Sequence, residues 1–223
     1  MALNIILPLI SLFMILLHLL LLTMPCHSAD PDPLQDFCIA DLSGTLSLNG
    51  FPCKPASNVT SDDFFYSGLI NVGDTSNYLG SYLNVADVFA FPGLNTLGIS
   101  MTRIDIAVGG VTNPHWHARA TECGVLIRGT ALLGIITSGN VVYTKNVSVG
   151  EMYVVPRGLV HFHLNVGVEP VLAFSSANSQ LPGTIYVARN MFGSKPSVPD
   201  QVLAKAFRLD QSVVDQIKSK FMG

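Results

Sequence analysis

Short apolar stretches separated by turn residues occupy the chain from residue 81 onwards. β-Branched and aromatic residues are frequent in them, and glycine, proline or asparagine stands between them. The stretches cover residues 81–91, 97–108, 122–127, 131–137, 141–147, 152–155, 161–166, 171–175 and 184–188. Strands that recur at roughly ten-residue spacing with glycine-rich turns indicate an antiparallel sandwich or barrel. The predicted fold class is therefore all-β.

The pattern changes near the C-terminus, where apolar residues recur at helical spacing. One stripe of a helix predicted over residues 210–221 consists of Val213, Val214, Ile217 and Phe221. Asp210 or Ser212 is available as its N-cap. A second helix is predicted over residues 201–207. Such a helical pair packs either on a neighbouring subunit or on the sheet of its own chain.

The N-terminal residues are almost continuously apolar over residues 5–22. Small residues follow in Cys26-His27-Ser28-Ala29, so residues 1–29 are predicted to be a signal peptide cleaved after Ser28 or Ala29. The alternative is a membrane anchor, because a run of about 18 apolar residues is near the lower limit for spanning a bilayer. No Lys or Arg flanks the run to mark a cytoplasmic end. Residues 30–223 are predicted to form the mature domain.

Composition narrows the classes of partner. The chain has 223 residues, of which 49% are hydrophobic and 12% are charged, and its formal net charge is −3. Removal of the leader leaves about 195 residues, which is enough for one domain with a substantial core. The leader holds no Asp, Glu, Lys or Arg, so the mature chain keeps the charge of −3. Because no basic patch is interleaved with aromatic residues, nucleic acid is not an expected partner.

Cysteines and glycosylation motifs agree with secretion. Cys38 and Cys53 flank a loop rich in turn residues and are predicted to form a disulfide, which would contribute roughly 3 kcal/mol in the chain-entropy model. Cys123 is predicted to be a buried, inert thiol facing away from the Glu122 side of its strand, the alternatives being a thiolate ligand or a redox thiol. Asn58 and Asn146 each begin an acceptor motif for N-glycosylation.

Every histidine beyond the leader falls in one of two pairs, His115 with His117 and His161 with His163. Side chains alternate between the faces of a strand, so the two members of each pair point the same way. Glu122 follows the first pair, and imidazoles beside a carboxylate suit manganese, iron or zinc. A lone histidine in an apolar strand is more often a hydrogen-bonded core residue. Four buried histidines in a chain with so few charges need a common partner, so we interpret them as a metal site.

The residues around these pairs resemble the two conserved boxes of the cupins. From Gly109 to Gly129 the order is G-x5-HWH-x4-E-x6-G, and from Gly150 to Asn165 it is G-x5-PRG-x2-H-x3-N. The mature start DPDPLQDFC, the segment GFPCKP, the segment PGLNTLG and the helical C-terminus are similar to those of plant germins and germin-like proteins. The resemblance covers essentially the whole mature chain.

The resemblance implies a single cupin jelly-roll β-barrel with C-terminal α-helices. It also implies a mononuclear manganese site whose ligands are His115, His117, Glu122 and His161. Such a ligand set leaves two octahedral positions open, and its donor types also suit iron and zinc. Secretion to the apoplast is implied as well, together with assembly of dimers into a hexamer through the C-terminal helices.

The chain departs from the germin pattern near the site. Germins that oxidise oxalate hold it with asparagines, and the corresponding positions here are Thr102 and Thr112. Threonine offers one hydroxyl in place of an amide, so anchoring of a planar dianion is weakened, and Asn113 could compensate only through a backbone shift. Trp116 is bulkier than the usual residue and is expected to pack away from the metal. His163 stands where many relatives have glutamine.

His163 has three possible roles. It is predicted to hydrogen-bond a bound water and to assist proton delivery, and the alternatives are a polar interior residue or a fifth ligand. The leading function hypothesis is superoxide dismutation, which yields hydrogen peroxide outside the cell with a role in defence or wall chemistry. The alternatives are a metal-stabilised extracellular binding or structural protein without turnover, and oxalate oxidation. Phosphodiester or nucleotide-sugar hydrolysis ranks lowest, because no phosphate-binding loop is present.

Overall fold

A computed structural model describes residue 14 and residues 35–221 of the chain. Apart from Met14, the predicted signal peptide at residues 1–29 lies outside the described residues. Within the part that is described, no helix has both the length and the apolar character needed to cross a membrane.

Two five-stranded antiparallel sheets form the body of the molecule. The strands are β1 Ser81–Ala86, β2 Ser100–Ile106, β3 His115–His117, β4 Glu122–Arg128, β5 Ala131–Ile136, β6 Val142–Val147, β7 Met152–Val155, β8 Val160–Asn165, β9 Val171–Ala177 and β10 Thr184–Tyr186. The order is β1-β2-β9-β4-β7 in one sheet and β10-β3-β8-β5-β6 in the other. Apart from the pairs β1–β2 and β5–β6, neighbouring strands are not consecutive in sequence, as in a jelly roll, and the predicted all-β jelly-roll class is confirmed.

The main core lies between the two sheets. Along β9 every second residue is buried, which is the period-two pattern of a strand with one face on the core. Residues from both sheets contribute to the cluster, among them Ile106, Leu126, Leu133 and Val171.

Some predicted boundaries were wrong, and turns explain the differences. The first strand ends at Ala86 because the Asp87 carboxylate accepts the main-chain N–H groups of Phe89 and Ala90, which closes a turn. The second strand begins only at Ser100, after a turn in which Gly98 has a φ of +66°. The short strand β3 agrees with the strand geometry assumed for His115 and His117, although the predicted stretches did not include it. The helix that follows β10 was not predicted.

Three helices close the chain: α1 Val187–Phe192, α2 Asp200–Phe207 and α3 Gln211–Ser219. The helices predicted over residues 201–207 and 210–221 are thus present, and Asp210 is the N-cap residue of α3 without a side-chain capping hydrogen bond. Phe192, Leu203 and Val214 form a separate buried cluster. The predicted apolar stripe therefore packs mainly on the neighbouring helices.

The segment before the barrel carries the predicted disulfide. Cys38 and Cys53 are bonded, and the main chain is paired beside them at Ala40 and Cys53. Cys123 is a free thiol that is half-buried, so the prediction of a buried thiol was wrong. Its neighbours Glu122 and Gly124 are buried, because alternation turns them towards the interior and turns Cys123 away from it.

Removal of the disulfide is expected to lower the free energy of unfolding by about 3 kcal/mol, because cross-linked residues 15 apart restrict the unfolded chain. The change is Cys38→Ala with Cys53→Ala, measured by urea unfolding. Cys123→Ala is the matched control, since it removes a thiol without opening a loop, and a change below about 1 kcal/mol is expected. Equal losses in the two variants would contradict the loop-closure explanation.

Candidate metal centre

Strands from both sheets bring the predicted ligands together inside the barrel. β3 carries His115 and His117, and the Cα atoms of His115 and His161 are register partners across β3 and β8. Glu122 is the first residue of β4, which belongs to the opposite sheet. The connection between β3 and β4 is fixed by the main-chain hydrogen bond from Ala118 N–H to the Gly183 carbonyl, 3.0 Å long. The two sheets thus present their ligand-type side chains to one interior point.

His115, His117, Glu122 and His161 form a compact group that could hold a metal ion. One donor atom from each residue can be chosen so that all lie within 4.8 Å of one another. Nε2 of His117 is 2.7 Å from Oε2 of Glu122, and Nε2 of His161 is 3.4 Å from the same oxygen. We refer to these residues below as the four-donor group.

Hydrogen bonds on the outer side of the imidazoles orient their Nε2 atoms towards the centre. Nδ1 of His115 donates to the Asn113 carbonyl at 2.7 Å, and Nδ1 of His161 donates to the Leu159 carbonyl at 3.2 Å. The Thr184 hydroxyl lies 3.3 Å from Nδ1 of His117 and can accept in the same way. Acceptors at the far nitrogen fix the tautomer and leave the lone pair of Nε2 for a metal.

The protonation states of His115 and Glu122 suit metal ligands. Burial and the nearby imidazole of His161 lower the pKa of His115 to about 3, so this imidazole is neutral. Burial raises the pKa of the Glu122 carboxyl, but the contacts with His117 and His161 outweigh burial and hold that pKa well below its usual value. Neutral imidazoles and an ionised carboxylate are the protonation states that metal ligands require.

One buried nitrogen supports the fit directly. Nε2 of His161 is buried and makes no hydrogen bond within the described residues. An unpaired polar atom in a protein interior is costly, and the cost disappears when the atom coordinates a cation. The donor set, its separations and this unpaired nitrogen therefore fit a divalent metal ion.

Tyr153 holds the carboxylate of the group in place. Its hydroxyl donates to Oε1 of Glu122 at 3.2 Å, which leaves Oε2 facing the imidazoles. Burial and the negative charge of Glu122 raise the pKa of Tyr153 well above its usual value, so the phenol stays a donor. Gly124 lies opposite Tyr153 in the β4–β7 register, and a Cβ there would come within 2.4 Å of the Tyr153 oxygen. The glycine thus makes room for the tyrosine.

His163 lies beside the four-donor group and is not a member of it. Its side chain is buried, and burial lowers its pKa to about 4, so it is neutral. Nδ1 of His163 is 3.5 Å from the Thr112 hydroxyl oxygen. Its Nε2 is buried without a hydrogen-bond partner within the described residues.

A cavity of about 160 Å³ adjoins the group. Apart from the site histidines and Glu122, most of its walls are apolar, with the side chains of Leu83, Val85, Ile104 and Leu181 among them. Hydroxyl groups of Thr102, Ser175, Thr184 and Tyr186 and the carboxylate of Asp87 supply the remaining polarity. No Lys, Arg, Asn or Gln lines this cavity in the part of the chain that the structure describes.

Comparison with known proteins identifies the family. The Cupin family matches residues 67–215. Germin-like protein 1-1 of Oryza sativa subsp. japonica is 52% identical over 202 residues, which are 91% of this chain and 93% of that protein. The chain belongs to the germin-like proteins of the cupin family. This germin-like chain is also 47% identical over 216 residues to Oxalate oxidase 2 of Hordeum vulgare, covering 95% of each.

A solved structure agrees with the fold of this germin-like protein. A recombinant oxalate oxidase in complex with glycolate superposes with a TM-score of 0.84 at 49% identity. The match covers 87% of this chain and 99% of the other. The jelly roll therefore has the same scaffold as a protein described as an oxalate oxidase.

The two threonines singled out in the sequence occupy different environments in the germin-like chain. Thr102 lines the cavity. Thr112 is fully buried and does not line it, because its hydroxyl oxygen accepts the main-chain N–H of His163 at 2.9 Å. Treating both as substrate-facing positions was therefore wrong for Thr112. Asn113 lines a separate surface pocket, and Trp116 is absent from the cavity wall, as alternation predicted.

Sequence reasoning missed several residues that shape the site. They are Tyr153, Ser175, Thr184 and Tyr186, which come from strands whose register with the ligand-bearing strands β3 and β4 could not be derived from the sequence. A glycine at position 124 among apolar strand residues was one available signal for Tyr153, since glycine in a strand often marks the close approach of another group.

Proposed function

We propose that this chain is a secreted, manganese-binding germin-like protein that converts superoxide to hydrogen peroxide and dioxygen. The observation that carries the proposal is the small cavity, which has no cationic or amide side chain on its wall in the described chain. A planar dianion such as oxalate would have no side-chain partner for its second carboxylate. A diatomic anion has no second carboxylate that requires such a partner, so the cavity suits superoxide better than oxalate.

Manganese is the proposed ion because three imidazoles with one carboxylate suit it, although iron and zinc accept the same donors. When bound, the metal supplies one-electron chemistry, accepting an electron from one superoxide and giving one to the next. His115, His117, Glu122 and His161 would hold the ion. Two superoxide ions and two protons then give one hydrogen peroxide and one dioxygen.

The remaining residues would orient the reactants and control protons. Tyr153 keeps the Glu122 carboxylate aimed at the metal through its 3.2 Å hydrogen bond. His163 would donate a hydrogen bond from Nε2 to the oxygen species in the cavity. Apolar neighbours such as Leu83 and Ile104 limit water in the cavity, which strengthens each of these interactions.

An extracellular location is part of the proposal. The Cys38–Cys53 disulfide is of a kind that persists in oxidising compartments, and the similar germin-like proteins come from plants. Asn58 and Asn146 are both exposed, as glycosylation there would require. Assembly into a hexamer, as a trimer of dimers, would use the C-terminal helices, where the exposed Val202 and Phe207 of α2 offer apolar surface. Cleavage of residues 1–29 to release the domain at 30–223 belongs to the same proposal.

Oxalate oxidation is the second candidate, because the chain is 47% identical to a barley protein that bears that name. A non-catalytic binding or structural role is the third. The cavity beside the four-donor group favours turnover over a purely structural metal, since a structural site is usually closed.

Parallel assays separate these functions. Secreted protein loaded with manganese is expected to remove superoxide faster than the same concentration of free manganese, and to leave oxalate unchanged. Protein stripped of metal by a chelator is the control, and it should remove superoxide no faster than buffer. Consumption of oxalate would show that the second candidate is right, and inactivity towards both anions would favour the third.

A further inference from the structure

The hydrogen bonds of His163 differ from those of two imidazoles in the four-donor group, His115 and His161. Nδ1 of His115 and of His161 faces a main-chain carbonyl, which can only accept. Nδ1 of His163 instead faces the hydroxyl of Thr112, which can donate or accept. The tautomer of His163 therefore depends on where the hydrogen of that hydroxyl points.

Burial of Thr112 decides the direction of this hydrogen. The residue is fully buried, and its oxygen already accepts the main-chain N–H of His163 at 2.9 Å. Nδ1 of His163 is the one other polar atom bonded to this hydroxyl within residues 35–221. Unless the hydroxyl donates to Nδ1, its hydrogen is left unpaired in the interior, which is costly. Nδ1 of His163 is thus the acceptor.

A neutral imidazole carries its single hydrogen on the nitrogen that does not accept. The hydrogen of His163 therefore lies on Nε2, whereas His115 and His161 carry theirs on Nδ1. Nε2 of His163 is buried without a partner, and the residue lines the cavity beside the four-donor group. Nε2 of His163 therefore has no lone pair to offer a metal, and it acts as a hydrogen-bond donor.

We propose that Thr112 is a positioning residue that sets His163 as a hydrogen-bond donor to small anions in the cavity. The proposal deepens the proposed function, on which it rests for the identity of the anion as superoxide. The wall of the cavity has no Lys, Arg, Asn or Gln in the described chain, so the proposal assigns the unpaired Nε2–H of His163 as the side-chain donor to a guest. The cavity therefore favours small molecules that offer an acceptor atom to this N–H. Because Nε2 carries the hydrogen, His163 cannot coordinate the metal through it.

The tautomer can be measured without turnover. ¹⁵N NMR of histidine-labelled, zinc-loaded protein is expected to show hydrogen on Nε2 of His163 and on Nδ1 of His115 and His161. Loss of signals in His163→Gln assigns the resonances. Thr112→Val is expected to move the hydrogen of His163 towards Nδ1, and the matched Thr112→Ser, which keeps the hydroxyl, should preserve the wild-type pattern.

Azide binding to the manganese-loaded protein, followed by electron paramagnetic resonance, tests the donor role. His163→Leu removes the donor and is expected to weaken azide binding on the order of tenfold, since one hydrogen bond to a charged group is lost. His163→Gln retains an N–H donor and should bind azide within about threefold of wild type.

These outcomes are independent of whether superoxide is the substrate. Hydrogen on Nδ1 of His163 in the unaltered protein would overturn the proposal, and so would equal azide affinity in His163→Leu and the unaltered protein. An unchanged tautomer in Thr112→Val would remove the positioning role of Thr112. Failure to remove superoxide together with the expected tautomer and azide results would overturn the proposed function alone.

Discussion

Glu122→Gln is expected to lower the affinity of the protein for manganese by more than about 100-fold. Loss of a group that merely hydrogen-bonds to a ligand lowers metal affinity by about 10–100-fold. Glu122 is itself a member of the four-donor group and supplies its one negative charge. The amide has nearly the same shape, so the fold should persist. Metal content after dialysis against a graded manganese buffer, measured by mass spectrometry, checks the prediction.

The matched control for this change is Glu151→Gln, which removes a carboxylate that is paired with Lys145 and does not belong to the four-donor group. Its metal affinity is expected to equal that of the unaltered protein, because exposed ion pairs contribute little and are screened. Manganese retained at full occupancy by Glu122→Gln would show that the ion is held elsewhere. The assignment of the four-donor group as the manganese site would then be wrong.

Leu126→Ala is expected to lower the free energy of unfolding by about 2–5 kcal/mol. Leu126 is 1% exposed in the cluster between the sheets, so its removal leaves a cavity as well as lost apolar contact. Ile127→Ala is the matched control in the next position of β4, where the side chain is 46% exposed. A loss below about 1 kcal/mol is expected there.

Urea unfolding of metal-free protein measures both changes without a contribution from ion binding. If Ile127→Ala cost as much as Leu126→Ala, the alternation of buried and exposed positions along β4 would be wrong. Because Glu122 lies on the same strand and faces the same side as Leu126, the orientation of the site would then be wrong as well.

Local patterns made much of the site predictable. The spacing of His115 and His117, and of His161 and His163, places each pair on one face of a strand, whatever the rest of the chain does. Glu122 was grouped with them because it follows the first pair, and the resemblance to the cupin boxes then separated His163 from the ligands. The structure brings the four predicted residues within 4.8 Å and leaves His163 outside, which agrees with that separation.

Other features depended on turns whose chemistry is not visible in a hydrophobic pattern. The first strand was predicted to extend to residue 91, but the Asp87 carboxylate closes a turn after Ala86. The helix Val187–Phe192 follows β10 directly and was missed, because it is too short to develop a helical repeat. The exposure of Cys123 depended on how completely neighbouring elements cover β4.

The sequence by itself determined the all-β class, the C-terminal helices, the Cys38–Cys53 pair and the residues able to hold a metal. The class, the helices and the placement of each histidine pair on one strand face follow from periodicity and spacing, whereas the separation of the four ligands from His163 is what the resemblance to germins implies. Only the tertiary structure decided that Tyr153 orients Glu122 and that Thr112 contacts His163, because these partners are 31 and 51 positions apart. Strand register brings such residues together, and register is set by packing of the whole barrel.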